Sequence, residues 1–191
     1  MRMAKFIGED QNPCYSRKIG SVIVNPENGH VLGTGYNGPP KKVPHCDDPE
    51  YLEEVVWPQL TEEEKEQWKM PIQSCSRLAP FEYAIGEFVG DCKGKCPRRV
   101  IGAKSGERLS ICSCRHSEFN AIVNAAQDLT DSYLFLWAPS PCDVCAGEII
   151  NAGIKRVYCL SGDDYSFATG WLFKKAGVEL IKVEDSWIFQ D

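Results

Sequence analysis

The chain has 191 residues, of which 43% are apolar and 25% charged, and its formal net charge is −6. This balance excludes a disordered or fibrous protein, and the length corresponds to about one domain. No apolar run reaches the roughly 18 residues of a membrane-spanning helix. The first residues lack the apolar segment of a secretory signal, so we expect a cytoplasmic protein.

The first predicted element is a β-hairpin. Residues 19–25 and 30–36 form two short β-rich runs, and Asn28-Gly29 between them is typical of a hairpin turn. Residues 41–115 show no regular alternation of helices and strands, so we interpret them as a Cys-rich, charged insertion. Within it, Thr61 and Glu64 have the spacing of a capping box, which predicts a short helix.

A regular rhythm follows the insertion. The apolar periodicity predicts crossover units of helices and strands, and therefore an α/β fold in which a sheet carries helices on its faces. The opening hairpin adds to the same sheet, within one domain spanning 1–191. The predicted helices are 116–128, 142–152 and 165–176, and the predicted strands are 132–138, 156–160 and 178–183.

Charge is distributed unevenly. Residues 47–69 hold nine acids and two lysines, whereas residues 93–115 hold seven bases and one acid. Both stretches are compatible with a solvated surface, and the basic one is also compatible with phosphate binding. The candidates for a phosphate contact are Arg17, Arg98, Arg99 and Arg115. The acidic balance of the whole chain argues against a nucleic-acid binder.

Ten cysteines require an explanation in a reducing compartment, where metal binding is a better interpretation than disulfides. Cys142 and Cys145 have the C-x-x-C spacing that binds one zinc ion, although a redox pair has the same spacing. His116 would complete three ligands and leave the fourth position to water, as in catalytic zinc sites. Glu118 lies close enough in sequence to reach that water without being a ligand.

The order H-x-E, one strand, then P-C-x-x-C is typical of zinc-dependent nucleobase deaminases. The chain resembles the cytidine deaminase superfamily and, within it, the deoxycytidylate (dCMP) deaminase family. The resemblance covers nearly the whole chain and differs at Ser117, where the family commonly has Ala. It rests on residues 14–24, 33–39, 45–48, 116–122, 140–142 and Cys145.

The resemblance implies a three-layer α/β/α fold with a central mixed five-stranded sheet. It also implies hydrolytic, zinc-dependent deamination of dCMP to dUMP, a precursor of thymidylate. Glu118 would shuttle a proton from water to N3 of cytosine and then to the leaving amino group. Asn37 matches the asparagine that holds the sugar hydroxyl, and Tyr165 matches a tyrosine near the substrate. Turn formation and packing are the structural alternatives for these two residues.

The resemblance further implies a homohexamer that dCTP activates and dTTP inhibits, with Mg²⁺ carried by the nucleotide. The loop of Gly35, Tyr36, Asn37 and Gly38 would contribute to that effector site. A second, structural zinc would be held by Cys14, Cys46, Cys112 and Cys114. Cys75, Cys92 and Cys96 could join that site or form another.

Other functions compete with this interpretation. The same zinc chemistry serves deaminases of polynucleotides, of dCTP or of other small heterocycles, and a zinc module can also be non-catalytic. The acidic charge disfavours a polynucleotide substrate. Glu118 disfavours a structural module, because a structural zinc site needs no adjacent carboxylate.

Overall fold

The computed structural model describes residues 1–69 and 96–188, with the side chains of 67, 69 and 187 excepted. The chain divides into two compact units. Unit 1 contains Met1–Asn12, Lys18–Gly38 and Arg115–Asp191, and unit 2 contains Pro13–Arg17 and Pro39–Cys114. Among the described residues, no helix has the length and apolar character needed to cross a bilayer.

Unit 1 contains a five-stranded mixed sheet, as predicted, in the order β2-β1-β3-β4-β5. β1 pairs antiparallel with β2 and with β3, whereas β3, β4 and β5 are parallel. The hairpin therefore adds to the crossover units as expected. The strands are β1 Gly20–Val24, β2 Val31–Tyr36, β3 Tyr133–Leu136, β4 Arg156–Leu160 and β5 Glu179–Val183.

Helices cover both faces of this sheet. One face carries Ile23, Leu134 and Val157, which form a buried core with Ala121 and Phe173. The opposite face packs Val22 against the N-terminal helix. The alternation of strand side chains thus produces the predicted three layers. The helices of unit 1 are α1 Arg2–Phe6, which continues as a π-helical turn over Ile7–Gln11, α5 Ser117–Ala125, α6 Asp143–Asn151, α7 Phe167–Ala176 and α8 Asp185–Ile188.

α5 lies unusually close to β2 because two glycines of that strand have no side chain. A Cβ atom on Gly35 would lie 2.2 Å from the carbonyl oxygen of Ser117, and one on Gly33 would lie 2.4 Å from that of Ala121. Side-chain amides of α5 then donate to carbonyls of β2, including Asn124 to Thr34 at 3.1 Å. These contacts fix the first turn of α5, where the predicted His-x-Glu motif begins.

Unit 2 has its own small core, in which Leu52, Val56 and Ile111 are buried together. The predicted capping box is present, since Glu64 N donates to Thr61 Oγ1 at 3.2 Å and Thr61 N donates to Glu64 Oε2 at 2.9 Å. The helices of unit 2 are α2 Pro49–Tyr51, α3 Glu62–Lys69 and α4 Pro97–Val100, with π-helical Leu52–Val56 and 3₁₀ turns at Trp57–Gln59 and Leu109–Ile111. Cys75 and Cys92 lie outside the described residues.

Candidate active site

Three of the predicted ligands converge in unit 1. His116 Nδ1 lies 3.4 Å from Cys142 Sγ and 3.3 Å from Cys145 Sγ. In a tetrahedral site, bonds of about 2.0 Å to nitrogen and 2.3 Å to sulfur place these donor atoms about 3.5 Å apart. Both cysteines are buried, whereas His116 is exposed. The donor set therefore fits one zinc ion that is open to solvent on one side.

Local structure holds these ligands in place. His116 immediately precedes α5, and Cys142 caps α6 by accepting a hydrogen bond from Cys145 N. The hydroxyl of Thr169 in α7 donates to the carbonyl of Pro141 at 3.1 Å. Two helix N-termini, where anionic groups are stabilised, thus present the imidazole and the thiolates.

The electrostatics of the two thiols fit a cation site. A hydrogen bond from Cys145 lowers the pKa of Cys142 to about 4, and the same hydrogen bond raises the pKa of Cys145. The lowered pKa favours the thiolate form of Cys142, which is the form of cysteine that binds zinc.

Glu118 lies in the first turn of α5 and is only 4% exposed. Burial raises the pKa of its carboxyl group, and the negative charge of Cys142 acts in the same direction. Ser117 Oγ donates to Glu118 Oε2 at 2.9 Å, which partly offsets this shift. The site therefore contains a carboxyl group that can take up and release a proton nearer neutral pH than an exposed glutamate.

A second carboxyl group in this region was not predicted from the sequence. Glu148 lies in α6, and its Oε2 atom is buried without a hydrogen-bond partner among the described residues. Burial is the largest cause that raises the pKa of the Glu148 carboxyl group, and the negative charges of Cys142 and Glu118 raise it further. Uncompensated negative charge beside the thiols is a further reason why these residues suit a bound cation. Glu148 follows Cys145 by three positions, one helical turn, and this spacing was the available sequence clue.

Asn37 and Tyr165 have well-defined structural contacts. Asn37 is 5% exposed, and its Oδ1 accepts a hydrogen bond from Ser117 N at 2.9 Å. This hydrogen bond connects the loop that follows strand β2 to the start of α5. The backbone N–H of Tyr165 donates to Ser140 Oγ at 2.7 Å, and the tyrosine is 54% exposed. Their predicted contacts with a substrate stay predictions.

A second group of donor atoms lies in unit 2. His45, Cys46 and Cys114 place their donor atoms within 4.8 Å of one another. The thiol of Cys46 also contacts Cys112, and that of Cys114 contacts Cys14. The four predicted cysteines of the second zinc therefore come together. His45 was not predicted as a ligand from the sequence. Cys96, which was left as joining this site or forming another, contacts Cys46 through its thiol.

Three of the four arginines proposed for phosphate binding have side-chain contacts within unit 2. Arg98 donates to the carbonyls of Lys104 and Glu107. Arg99 donates to Ser16 at 2.9 Å, and Arg17 donates to Ser105 at 2.8 Å. The fourth, Arg115, lies in unit 1, where its backbone pairs with Gly38. A phosphate contact by any of the four stays a prediction.

Comparison with known proteins fits this geometry. Residues 1–161 match the family described as "Cytidine and deoxycytidylate deaminase zinc-binding region". The chain belongs to this family. The match confirms the resemblance found in the sequence, and the described residues His116, Cys142 and Cys145 are a donor set that fits a zinc-binding family.

Two deoxycytidylate deaminases are similar in sequence to this chain along most of its length. Deoxycytidylate deaminase of Schizosaccharomyces pombe is 25% identical over 181 residues, which cover 94% of this chain but 41% of that protein. The chain therefore spans less than half of this relative. Deoxycytidylate deaminase of Enterobacteria phage T4 is 29% identical over 187 residues, which cover 93% of this chain and 85% of that protein.

The fold agrees with a solved crystal structure. The crystal structure of dCMP deaminase from the cyanophage S-TIM5, in complex with dCMP and dUMP, aligns with a TM-score of 0.54 and 20% identity. The alignment covers 95% of this chain and 92% of that chain. This similarity establishes the cytidine deaminase-like α/β fold.

Proposed function

We propose that the chain is a zinc-dependent deaminase that hydrolyses dCMP to dUMP and ammonia. The observation that carries the proposal is the buried Glu118 carboxyl group on the same helix turn that presents the His116 imidazole to Cys142 and Cys145. The substrate is inferred from relatives named deoxycytidylate deaminase, which match 93–94% of the chain. We expect the enzyme to act in the cytoplasm and to supply dUMP for thymidylate synthesis.

The chemistry divides between the metal and the protein. His116, Cys142 and Cys145 would hold the zinc ion, which would supply a water acidic enough, with a pKa toward about 7, to act as the nucleophile. Glu118 would take one proton from the attacking water and deliver it to N3 of cytosine as the C4–O bond forms. The same carboxylate would then take the second proton, from the hydroxyl now on C4, and donate it to the amino group, which leaves as ammonia while the C4 carbonyl forms. Ser117 orients the carboxylate through its hydrogen bond to Oε2.

Asn37 and Tyr165 are proposed to bind the nucleotide. Asn37 Oδ1 is engaged by Ser117 N, so the Nδ2 donor is the part of this side chain assigned to the sugar hydroxyl. Tyr165 follows strand β4 and is tied to Ser140 in the segment that precedes Cys142. Its exposed ring is proposed to lie beside the bound base.

Regulation and assembly are proposed from the family resemblance. The chain would form a homohexamer, with dCTP as activator and dTTP as inhibitor, each carrying Mg²⁺. The loop of residues 35–38 would contribute to the effector site, and its Tyr36 side chain is exposed. A second, thiolate-rich zinc centre in unit 2, containing Cys14, Cys46, Cys112 and Cys114, would have a structural role.

The decisive experiment measures ammonia release from a substrate panel. The panel contains dCMP, CMP, dCTP, deoxycytidine and a single-stranded oligonucleotide, each with and without dCTP or dTTP plus Mg²⁺. We expect turnover of dCMP that dCTP increases and dTTP decreases. Turnover of dCTP, of the oligonucleotide or of none of these would overturn the proposed substrate. Turnover of dCMP without any response to dCTP and dTTP would overturn only the proposed regulation.

A further inference from the structure

The donor atoms in unit 2 outnumber the positions of one zinc ion. Five thiols and one imidazole come together there, whereas a structural zinc is four-coordinate. A single ion would leave two of these donors packed beside a zinc-thiolate centre without a ligand role. The six residues are Cys14, His45, Cys46, Cys96, Cys112 and Cys114.

Two thiols, those of Cys46 and Cys114, make most of the contacts within this cluster. Cys46 contacts the thiols of Cys96, Cys112 and Cys114. Cys114 contacts Cys14, Cys46 and Cys112. His45 contacts Cys114 through Nε2, which lies 3.5 Å from Cys114 Sγ, and Cys46 Sγ lies 3.9 Å from Nδ1 of the same ring. Each remaining donor therefore contacts at least one of two thiols that also contact each other.

The number of donor atoms equals the number that two bridged zinc ions require. Two four-coordinate ions have eight ligand positions in total. Two bridging thiolates fill four of these positions, and four terminal donors fill the other four. Six donors are needed, which is the number that the described residues of unit 2 bring together.

His45 is held in the orientation that a ligand requires. Its Nδ1 atom lies 2.5 Å from Asp47 Oδ1, and Asp47 also receives a hydrogen bond from Tyr15. A carboxylate on Nδ1 fixes the proton there and leaves the lone pair of Nε2, the nitrogen next to Cys114, available to a metal, as for most zinc-bound histidines. The 3.5 Å from Nε2 to Cys114 Sγ equals the spacing of nitrogen and sulfur around one zinc ion, about 3.5 Å.

We propose that unit 2 binds two zinc ions in one cluster, bridged by the thiolates of Cys46 and Cys114, with Cys14, His45, Cys96 and Cys112 as terminal ligands. This inference extends the second zinc centre proposed above and does not depend on the substrate of unit 1. It changes the zinc content of the chain from two ions to three.

The test is the zinc content of the full chain, measured by mass spectrometry of the metal, together with a variant that removes the unit 1 site. We expect three zinc ions per chain in the parent and two in the Cys142→Ser/Cys145→Ser variant. Cys159→Ala is the matched control, because Cys159 is buried in the sheet core, and its zinc content should stay at three. One zinc ion in the Cys142→Ser/Cys145→Ser variant would overturn the two-ion cluster, and none would also overturn the second centre itself.

A spectroscopic measurement identifies the bridges independently of the count. After replacement of zinc by ¹¹³Cd, we expect two cluster signals in the NMR spectrum, coupled to each other through shared sulfur. A single cluster signal, or two uncoupled signals, contradicts the bridged arrangement. A lower zinc content in a Cys75→Ala/Cys92→Ala variant would show that the six-residue ligand set is wrong.

Discussion

The hydroxyl of Ser117 donates to Oε2 of Glu118 at 2.9 Å, and Ser21 Oγ lies 2.7 Å from the same hydroxyl. Since the single hydroxyl proton of Ser117 goes to the carboxylate, Ser21 must donate to Ser117. Both serines are fully buried. A chain of two hydroxyls thus connects strand β1 to the proposed proton carrier, at a position where the family commonly has Ala.

We expect Ser117→Ala to lower kcat by roughly tenfold, because a hydrogen bond to a charged group contributes about 1.5 kcal/mol. Loss of the hydroxyl also leaves Ser21 without its acceptor, so the comparison needs Ser21→Ala and the double variant. The double-mutant cycle separates the two effects. A kcat that is unchanged in Ser117→Ala would show that Ser117 does not orient Glu118.

Glu118→Gln tests the proton carrier directly. The amide has nearly the same shape but cannot accept the proton. We therefore expect turnover to fall by roughly 10²- to 10⁴-fold or more. Zinc content should stay near that of the parent, because Glu118 is not one of the three donors that converge with His116. A variant that loses zinc together with activity would show that Glu118 is a ligand instead.

Gly35 should tolerate no side chain. The Cβ atom of Gly35→Ala would lie 2.2 Å from Ser117 O and 2.3 Å from Ala121 N, both backbone atoms that cannot move alone. We expect a loss of about 3 kcal/mol in the free energy of unfolding, measured by urea denaturation. Gly147→Ala in α6 is the matched control, since its Cβ would meet nothing within 4 Å, and it should gain about 0.5–1 kcal/mol. Equal stabilities of the two variants would contradict the close approach of α5 and β2.

Local patterns predicted the sheet and most helix positions, but helix ends depend on contacts that the patterns do not contain. The apolar periodicity continues to residue 128, whereas α5 ends at Ala125. Ala126 adopts a left-handed conformation with φ of 50°. The sequence gives no sign of this helix end, because glycine is the residue usually found in that conformation. The predicted helix 165–176 begins instead at Phe167, because Ser166 caps it by accepting from Ala168 N.

The candidate sites show the same limit. His116, Cys142 and Cys145 could be predicted because two short motifs carry them on neighbouring helices. His45 and Cys114 are 69 residues apart, and no spacing rule joins them before the chain folds. From the sequence, Ser117 is only a difference from the Ala that is common in the family, because its hydrogen bond to Glu118 depends on the side-chain conformations of a buried helix turn.

Glu148→Gln should change stability and zinc affinity in opposite directions. Burial raises the pKa of Glu148 in the folded chain above its unfolded value, about 4.3. Its contribution to stability is therefore complete below the unfolded pKa and is lost as pH rises through the folded pKa. In the metal-free protein, we expect Glu148→Gln to be more stable than the parent at pH 7, with no such gain below about pH 4.

With zinc present, the carboxylate of Glu148 should strengthen zinc binding, because its negative charge interacts with the ligands His116 and Cys142. Glu148→Gln should therefore bind the zinc of unit 1 roughly tenfold more weakly, as is typical when a group that supports metal ligands is removed. Glu27→Gln, in the exposed hairpin turn, is the control for loss of one negative charge. Competition with a chromogenic chelator measures the affinity, and denaturation from pH 4 to pH 8 measures the stability. Equal effects of Glu148→Gln and Glu27→Gln would show that Glu148 acts only through the net charge of the chain.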